Sequence, residues 1–180
     1  MAELHQERFR HIVVEGASRC DDPDIIGLLE RNFETPLPSL FTDFMIKRNG
    51  GILQYKFLHP RLPAPDNEFY IQRILTIGQH KSNSANDLIV YSDYQHFNEK
   101  LVPRKVVAFA LDGRDWPIFL DFTETPHGRV VVHDDCDLLP KPTWIRKSIA
   151  YEFRYICDSF DEYIENLVPD VDEPGNEDPI

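Results

Sequence analysis

The sequence predicts a single α+β domain in which an antiparallel sheet of mixed-length strands is flanked by helices. Two stretches near the N-terminus and one near the C-terminus repeat apolar residues at helical spacing. The middle of the chain instead holds short apolar runs separated by turn residues, among them Asp112-Gly113-Arg114-Asp115 and Thr125-Pro126-His127-Gly128. At 180 residues, with 42% hydrophobic and 28% charged side chains, the chain is long enough to bury one ordinary core without a metal or disulfide.

Taken in order, the first fifteen residues carry mixed charge around Ile12-Val13-Val14 and are expected to form an arm or an edge strand. Asp22-Pro23 opens the first helix, a capping residue followed by proline at the first helical position. Ile25, Ile26, Leu29 and Phe33 then predict a helix over 23–33. Thr35-Pro36-Leu37-Pro38 breaks it, and Ser39 caps a second helix carrying Leu40, Phe41, Phe44, Met45 and Ile46. Asn49-Gly50-Gly51 ends that helix, because glycine reaches the left-handed conformation a C-cap demands. Strands are predicted over 52–58 and 69–77, joined by a proline-rich connection, and Leu88 to Asn98 predicts a short aromatic-rich helix. Three strands follow as a meander over 106–111, 118–122 and 130–133. Residues 134–142 predict a loop, and 149–157 reads either as a further strand or as a helical turn. Asp158-Ser159 caps a final helix bearing Phe160, Tyr163, Ile164 and Leu167. The domain is expected to span 1–168, with 169–180 an acidic, disordered tail that lacks any apolar pattern.

Charge narrows the function. Thirty-one acids against nineteen bases give a net charge of −12. Such a surface repels phosphate, which disfavours direct nucleic-acid binding. It attracts basic partners instead and speeds their association. No apolar run approaches the ~18 residues of a membrane span. The opening MAELHQERFRH has neither the apolar core nor the cleavage site of a signal peptide. A cytoplasmic protein without membrane attachment is therefore expected. Cys20, Cys136 and Cys157, odd in number and widely spaced, read as reduced structural thiols.

Catalytic signatures are absent. No glycine pair has the spacing of a dinucleotide fingerprint or a P-loop. There is no Gly-x-Ser-x-Gly elbow, and no lysine follows an acid at the spacing of the acid-x-lysine nucleases. His127, His133 and Cys136, with Asp134, Asp135 and Asp137 nearby, match no standard zinc module. No metal and no cofactor are expected. Cys-His pairing cannot be read from sequence, and Asp112 with Asp115 reads as turn chemistry. Trp116 and Trp144 each read as a core residue or an aromatic anchor. From Tyr155 to the end there are nine acids and no lysine or arginine, and Asp134, Asp135 and Asp137 form a second acidic group.

Several motifs together resemble a known family. Leu28-Leu29-Glu30, then Leu37-Pro38-Ser39-Leu40-Phe41-Thr42-Asp43-Phe44, ending at Asn49-Gly50-Gly51, is similar to the opening of the SUKH superfamily, which includes the Smi/Knr-type proteins. The stretch 106–113 followed by 118–121 and Gly128-Arg129-Val130 resembles its paired strands. Asp158-Ser159-Phe160-Asp161-Glu162-Tyr163 resembles its closing helix. The resemblance covers about 23–167 and implies a non-enzymatic α+β domain. It also implies that Glu30, Leu37, Pro38, Asn49, Gly50, Gly51, Ser159 and Phe160 are motif residues of a structural kind; for Glu30 a hydrogen bond to the Leu37-Pro38 turn is one example of such a role. Many bacterial members are immunity proteins that block a cognate toxin, and others, chiefly fungal, are adaptors in cell-wall signalling. The first expectation is an immunity protein against a basic nuclease toxin. It would bind through Asp112, Asp115, Asp134, Asp135, Asp137, Asp161, Glu162 and Glu165, with Trp116 or Trp144 as anchor. An adaptor in a regulatory complex is the alternative, and an enzyme of the Cys-His or carboxylate type the third.

Overall fold

The computed structural model describes residues 8–64, 66–79, 84–93, 104–133 and 153–170. The elements run α1 (Ile25–Phe33), α2 (Ser39–Lys47), β1 (Gly51–Leu58), β2 (Glu68–Ile74), α3 (Leu88–Asp93), β3 (Val106–Leu111), β4 (Pro117–Asp121), β5 (Arg129–His133), β6 (Phe153–Cys157), α4 (Phe160–Glu165) and β7 (Leu167–Pro169). The chain thus adopts the expected α+β fold. Seven strands form one sheet in the order β6-β5-β4-β3-β2-β1-β7, and every neighbouring pair is antiparallel.

The topology forces the sheet to curl. Six steps of ~4.8 Å would put the edges of a flat sheet about 29 Å apart. The chain crosses from β6 to β7 through residues 158–166, six of them helical. A six-residue helix with three extended residues spans only about 20 Å, so the sheet bends until its edges approach. Side chains confirm the bend: the Arg154 guanidinium of β6 lies 4.7 Å from the Phe69 ring centroid of β2, although three strands separate them in the sheet order.

The helices pack through the faces their periodicity predicts. Ile25, Leu29 and Phe33 of α1 and Leu40, Phe41, Phe44 and Met45 of α2 are buried. An aromatic cluster ties α2, α4 and the sheet together. Phe41 meets Phe109 and Phe160 edge-on at 6.0 and 5.1 Å, and Tyr163 stacks on Phe57 at 5.6 Å. Each such pair contributes about 0.5–1.5 kcal/mol beyond its buried area. β3 and β4 are buried along their whole length. Both faces are covered, which is why VVAFAL reads as a continuous apolar run rather than an alternating one.

Several boundaries differ from the sequence expectation. The first helix begins at Ile25, because the Asp22 carboxylate accepts the Asp24 N–H at 3.0 Å and holds the preceding residues in a turn. The N-terminal segment is built into the fold: Phe9 and Ile12 are buried, Glu15 bridges Ile52, and Ser18 bridges Asn49. Residues 153–157 form a strand. The last helix stops at Glu165, where the Asn166 backbone and side chain both donate to the Glu162 carbonyl, at 3.2 and 2.8 Å. Leu167 then joins β7 opposite Phe57, and Val168 and Pro169 pair with Lys56 and Tyr55, so the sheet extends past residue 168. Residues 94–98 of the expected third helix and 171–180 of the expected tail lie outside the described residues.

Candidate functional site

The motif residues of the N-terminal half build a corner rather than a reactive centre. Asn49 is 6% exposed and exchanges both backbone hydrogen bonds with Ser18, at 3.1 and 3.0 Å. Its carboxamide donates to the Ile77 carbonyl at 3.1 Å and accepts the Ile77 N–H at 2.6 Å. One side chain thereby joins the N-terminal arm, the end of α2 and the segment after β2. Gly50 and Gly51 follow with φ of 71° and 107°. A Cβ at Gly51 would lie 2.5 Å from the Glu15 carbonyl oxygen, and one at Gly50 2.4 Å from the Thr76 methyl. Glu30 accepts the Leu37 N–H at 3.0 Å and so fixes the turn between α1 and α2.

Asp161, Glu162 and Glu165 are carried by α4. Ser159 is its N-cap, accepting the Glu162 N–H at 3.1 Å, while the Glu162 carboxylate accepts the Asp158 N–H at 3.0 Å. This is a variant of the reciprocal capping box, displaced by one residue. Asp161 and Glu165, one helical turn apart, clasp Arg8 at 2.7 and 2.6 Å. The hydrogen bond to Asp161 is the largest influence holding the Arg8 guanidinium above its ordinary pKa. Of the three α4 acids expected to face a partner, Glu162 is engaged in the cap, and Asp161 and Glu165 already hold a cation of this chain.

The β3–β4 turn carries the other described candidates. Asp112 is 6% exposed and turned inward. It accepts the N–H groups of Arg114 and Trp116 at 2.7 and 2.9 Å, and its second oxygen pairs with the Arg114 guanidinium at 3.2 Å. Asp112 therefore shapes the turn that presents Trp116. Asp115 is exposed, with φ of 62°, and its carboxylate lies 3.9 Å from Arg73. Trp116 is half-buried beneath Arg114, whose guanidinium carbon sits 3.8 Å from the ring centroid. Trp116 lines a groove of about 440 Å³ that runs from Glu68 and Tyr70 on β2 to Arg154 on β6. Sequence reasoning missed Arg8, Tyr70, Arg114 and Arg154. Tyr70 alternates with buried Phe69 and Ile71 along β2 and was legible as an outward residue, but its place in one groove with Arg154 depends on the curl. Nothing local in the sequence marks Arg8 as a partner of α4.

Asp134, Asp135, Cys136, Asp137 and Trp144 lie outside the described residues. Among the described residues, no three His, Cys, Asp or Glu side chains gather where a metal ion could be held. His127 is exposed. Cys20 and Cys157 are buried, unpaired thiols. Burial pushes the Cys157 thiol well above its ordinary pKa, which makes it a poor nucleophile. No described helix is long and apolar enough to cross a membrane. Chemically, these surfaces can make contacts: an acidic helix on one element and an aromatic–guanidinium groove on the sheet.

No curated protein matches the chain. The SMI1 / KNR4 family (SUKH-1) matches residues 22–166, from the turn before α1 to the residue that closes α4. Phe9, Ile12 and strand β7 lie outside that span yet complete the core and the sheet edge. The match takes in most of the sequence and nearly all of the elements, and the chain belongs to the SMI1/KNR4 (SUKH-1) family.

Proposed function

We propose that this chain is a non-enzymatic immunity protein that binds and neutralises a cognate bacterial toxin domain in the cytoplasm, a basic nuclease being the class its charge fits. The observation that carries this reading is the sign and placement of charge. The chain bears −12 overall, and Asp161, Glu162 and Glu165 crowd one short helix, with Asp158 just before its cap. Membership of the SUKH-1 family supports protein–protein contact as the mode of action. A nuclease must hold phosphate and so presents cations; an acidic face meets those cations and associates quickly. The clasp of Arg8 by Asp161 and Glu165 supports the chemistry, because it is a guanidinium seated on that face. Asp115, Asp134, Asp135, Asp137, Trp116 and Trp144 complete the proposed contact set, with Asp112 acting through the turn it shapes.

The test is growth rescue. The full-length chain is co-expressed with the toxin domain encoded beside its gene. Growth is expected to be restored, and to be lost when Asp161→Lys and Glu165→Lys are combined in a chain of unchanged thermal stability. Rescue that survives the double charge reversal would remove the acidic face from the account, and no rescue at all would remove the immunity role.

A further inference from the structure

We propose that the groove between β2, the β3–β4 turn and β6 is a recognition pocket for a partner's protein segment that carries a carboxylate beside a bulky apolar side chain. The curl makes the pocket, because it brings side chains of β6 over those of β2. The floor is apolar, from Ile118, Val132 and Ile156. Two guanidiniums stand at its sides, each laid on a ring: Arg114 on Trp116 at 3.8 Å and Arg154 on Phe69 at 4.7 Å. A stacked guanidinium is held in orientation; Arg114 spends two of its donors on Asp112 and Arg154 one on the Asp66 carbonyl, which leaves each with further N–H groups to offer.

The pairing of Arg154 favours an anion. Asp112 matches one positive charge, that of Arg114. The groove's other carboxylate, Glu68, is engaged by the Tyr70 hydroxyl and by Lys56 at 3.2 Å, which also lies 3.7 Å from Asp170. Arg154 lies on the Phe69 ring and donates to the Asp66 backbone carbonyl, and neither neutralises its charge. In a chain of −12, Arg154 is thus a guanidinium in the groove with no carboxylate partner among the described residues. Tyr70, at the rim, is 43% exposed. Tryptophan, tyrosine and arginine around an apolar floor is the composition that dominates binding energy at protein interfaces. The volume falls within the ~300–1,000 Å³ of small-ligand pockets and takes one large side chain with its neighbours. The sign is opposite to that of the α4 face, so a partner that meets both is fixed in orientation. The inference does not require that partner to be a toxin.

Fluorescence anisotropy on the full-length chain tests it with two labelled synthetic peptides, one with glutamates flanking a central leucine and one with lysines in their place. Saturable binding of the glutamate peptide below about 1 mM is expected, with the lysine peptide bound far more weakly. Loss of one charge-assisted contact in Arg154→Gln weakens binding by about tenfold. Arg114→Gln has a similar effect, and thermal midpoints report whether its turn survives. Arg19→Gln removes the same charge from an exposed site away from the groove and leaves binding unchanged. Equal affinity for both peptides, undiminished binding by Arg154→Gln, or no binding by the native chain overturns the proposal. Binding that appears only after Asp172→Asn, Glu173→Gln, Glu177→Gln and Asp178→Asn are combined also overturns it, because the occupant is then this chain's own acidic segment.

Discussion

Asn49 joins three stretches of chain through one buried carboxamide, and its loss leaves both the N–H and the C=O of Ile77 without that partner. Each unsatisfied buried polar group costs about 1–3 kcal/mol. Asn49→Ala is therefore expected to lower unfolding stability by about 2–4 kcal/mol in urea denaturation, and a loss under ~0.5 kcal/mol would show that the brace contributes nothing. Tyr163 is the reverse case. Its ring packs on Phe57, but its hydroxyl is buried without a hydrogen-bond partner among the described residues. Tyr163→Phe is expected to be neutral or to stabilise by about 1 kcal/mol, because it removes a desolvated group that gains nothing. The same burial raises the Tyr163 pKa well above 10. The unfolded chain ionises this phenol first, so its contribution is fully present below pH ~10 and is lost as pH rises beyond that value. Stability should fall through that window, and more shallowly for Tyr163→Phe; identical alkaline limbs for the two chains would contradict the assignment.

At the scale of elements, α4 is short and depends on its cap. Ser159→Ala removes the acceptor for the Glu162 N–H and is expected to cost about 1 kcal/mol, measured by thermal or urea unfolding. Arg8→Ala opens a partly exposed clasp and is expected to cost less than ~1 kcal/mol. It should also raise the association rate of a basic partner, because two carboxylates become free; an unchanged rate would remove α4 from the encounter surface. The elements that were legible in the sequence are those specified locally. α1 and α2 announce themselves by apolar spacing and by the glycines after Asn49, and β3 to β5 by short apolar runs between turn residues. The end of α4 was not legible, because Leu167 fits a helical face as well as it fits a strand. What decides it is the open edge of β1, which is more than a hundred residues earlier in the chain. The site divides in the same way. Trp116 and the α4 acids could be named from composition and turn chemistry. The inward turn of Asp112, the Arg8 clasp and the approach of Arg154 to Phe69 each rest on folded contacts that carry no local signal.

For the whole molecule, one short crossover from β6 to β7 curls the sheet, and the crossover and the curl each carry one of the two candidate surfaces. A helix bearing Asp161, Glu162 and Glu165 lies along the crossover itself, and a groove lined by aromatic rings, two arginines and two carboxylates lies where β6 approaches β2. The SUKH-1 family supplies the scaffold, while residues outside the matched span, Arg8 and β7 among them, tune the helix and close the sheet. The central claim is that the acidic face holds a basic toxin domain. The most direct test is the dissociation constant of the full-length chain with a basic nuclease toxin domain whose growth arrest it relieves, followed from about 0.05 to 0.5 M NaCl. The account predicts tight binding at low salt that weakens steadily as salt rises, and an affinity indifferent to salt, or no complex at any salt, would contradict it.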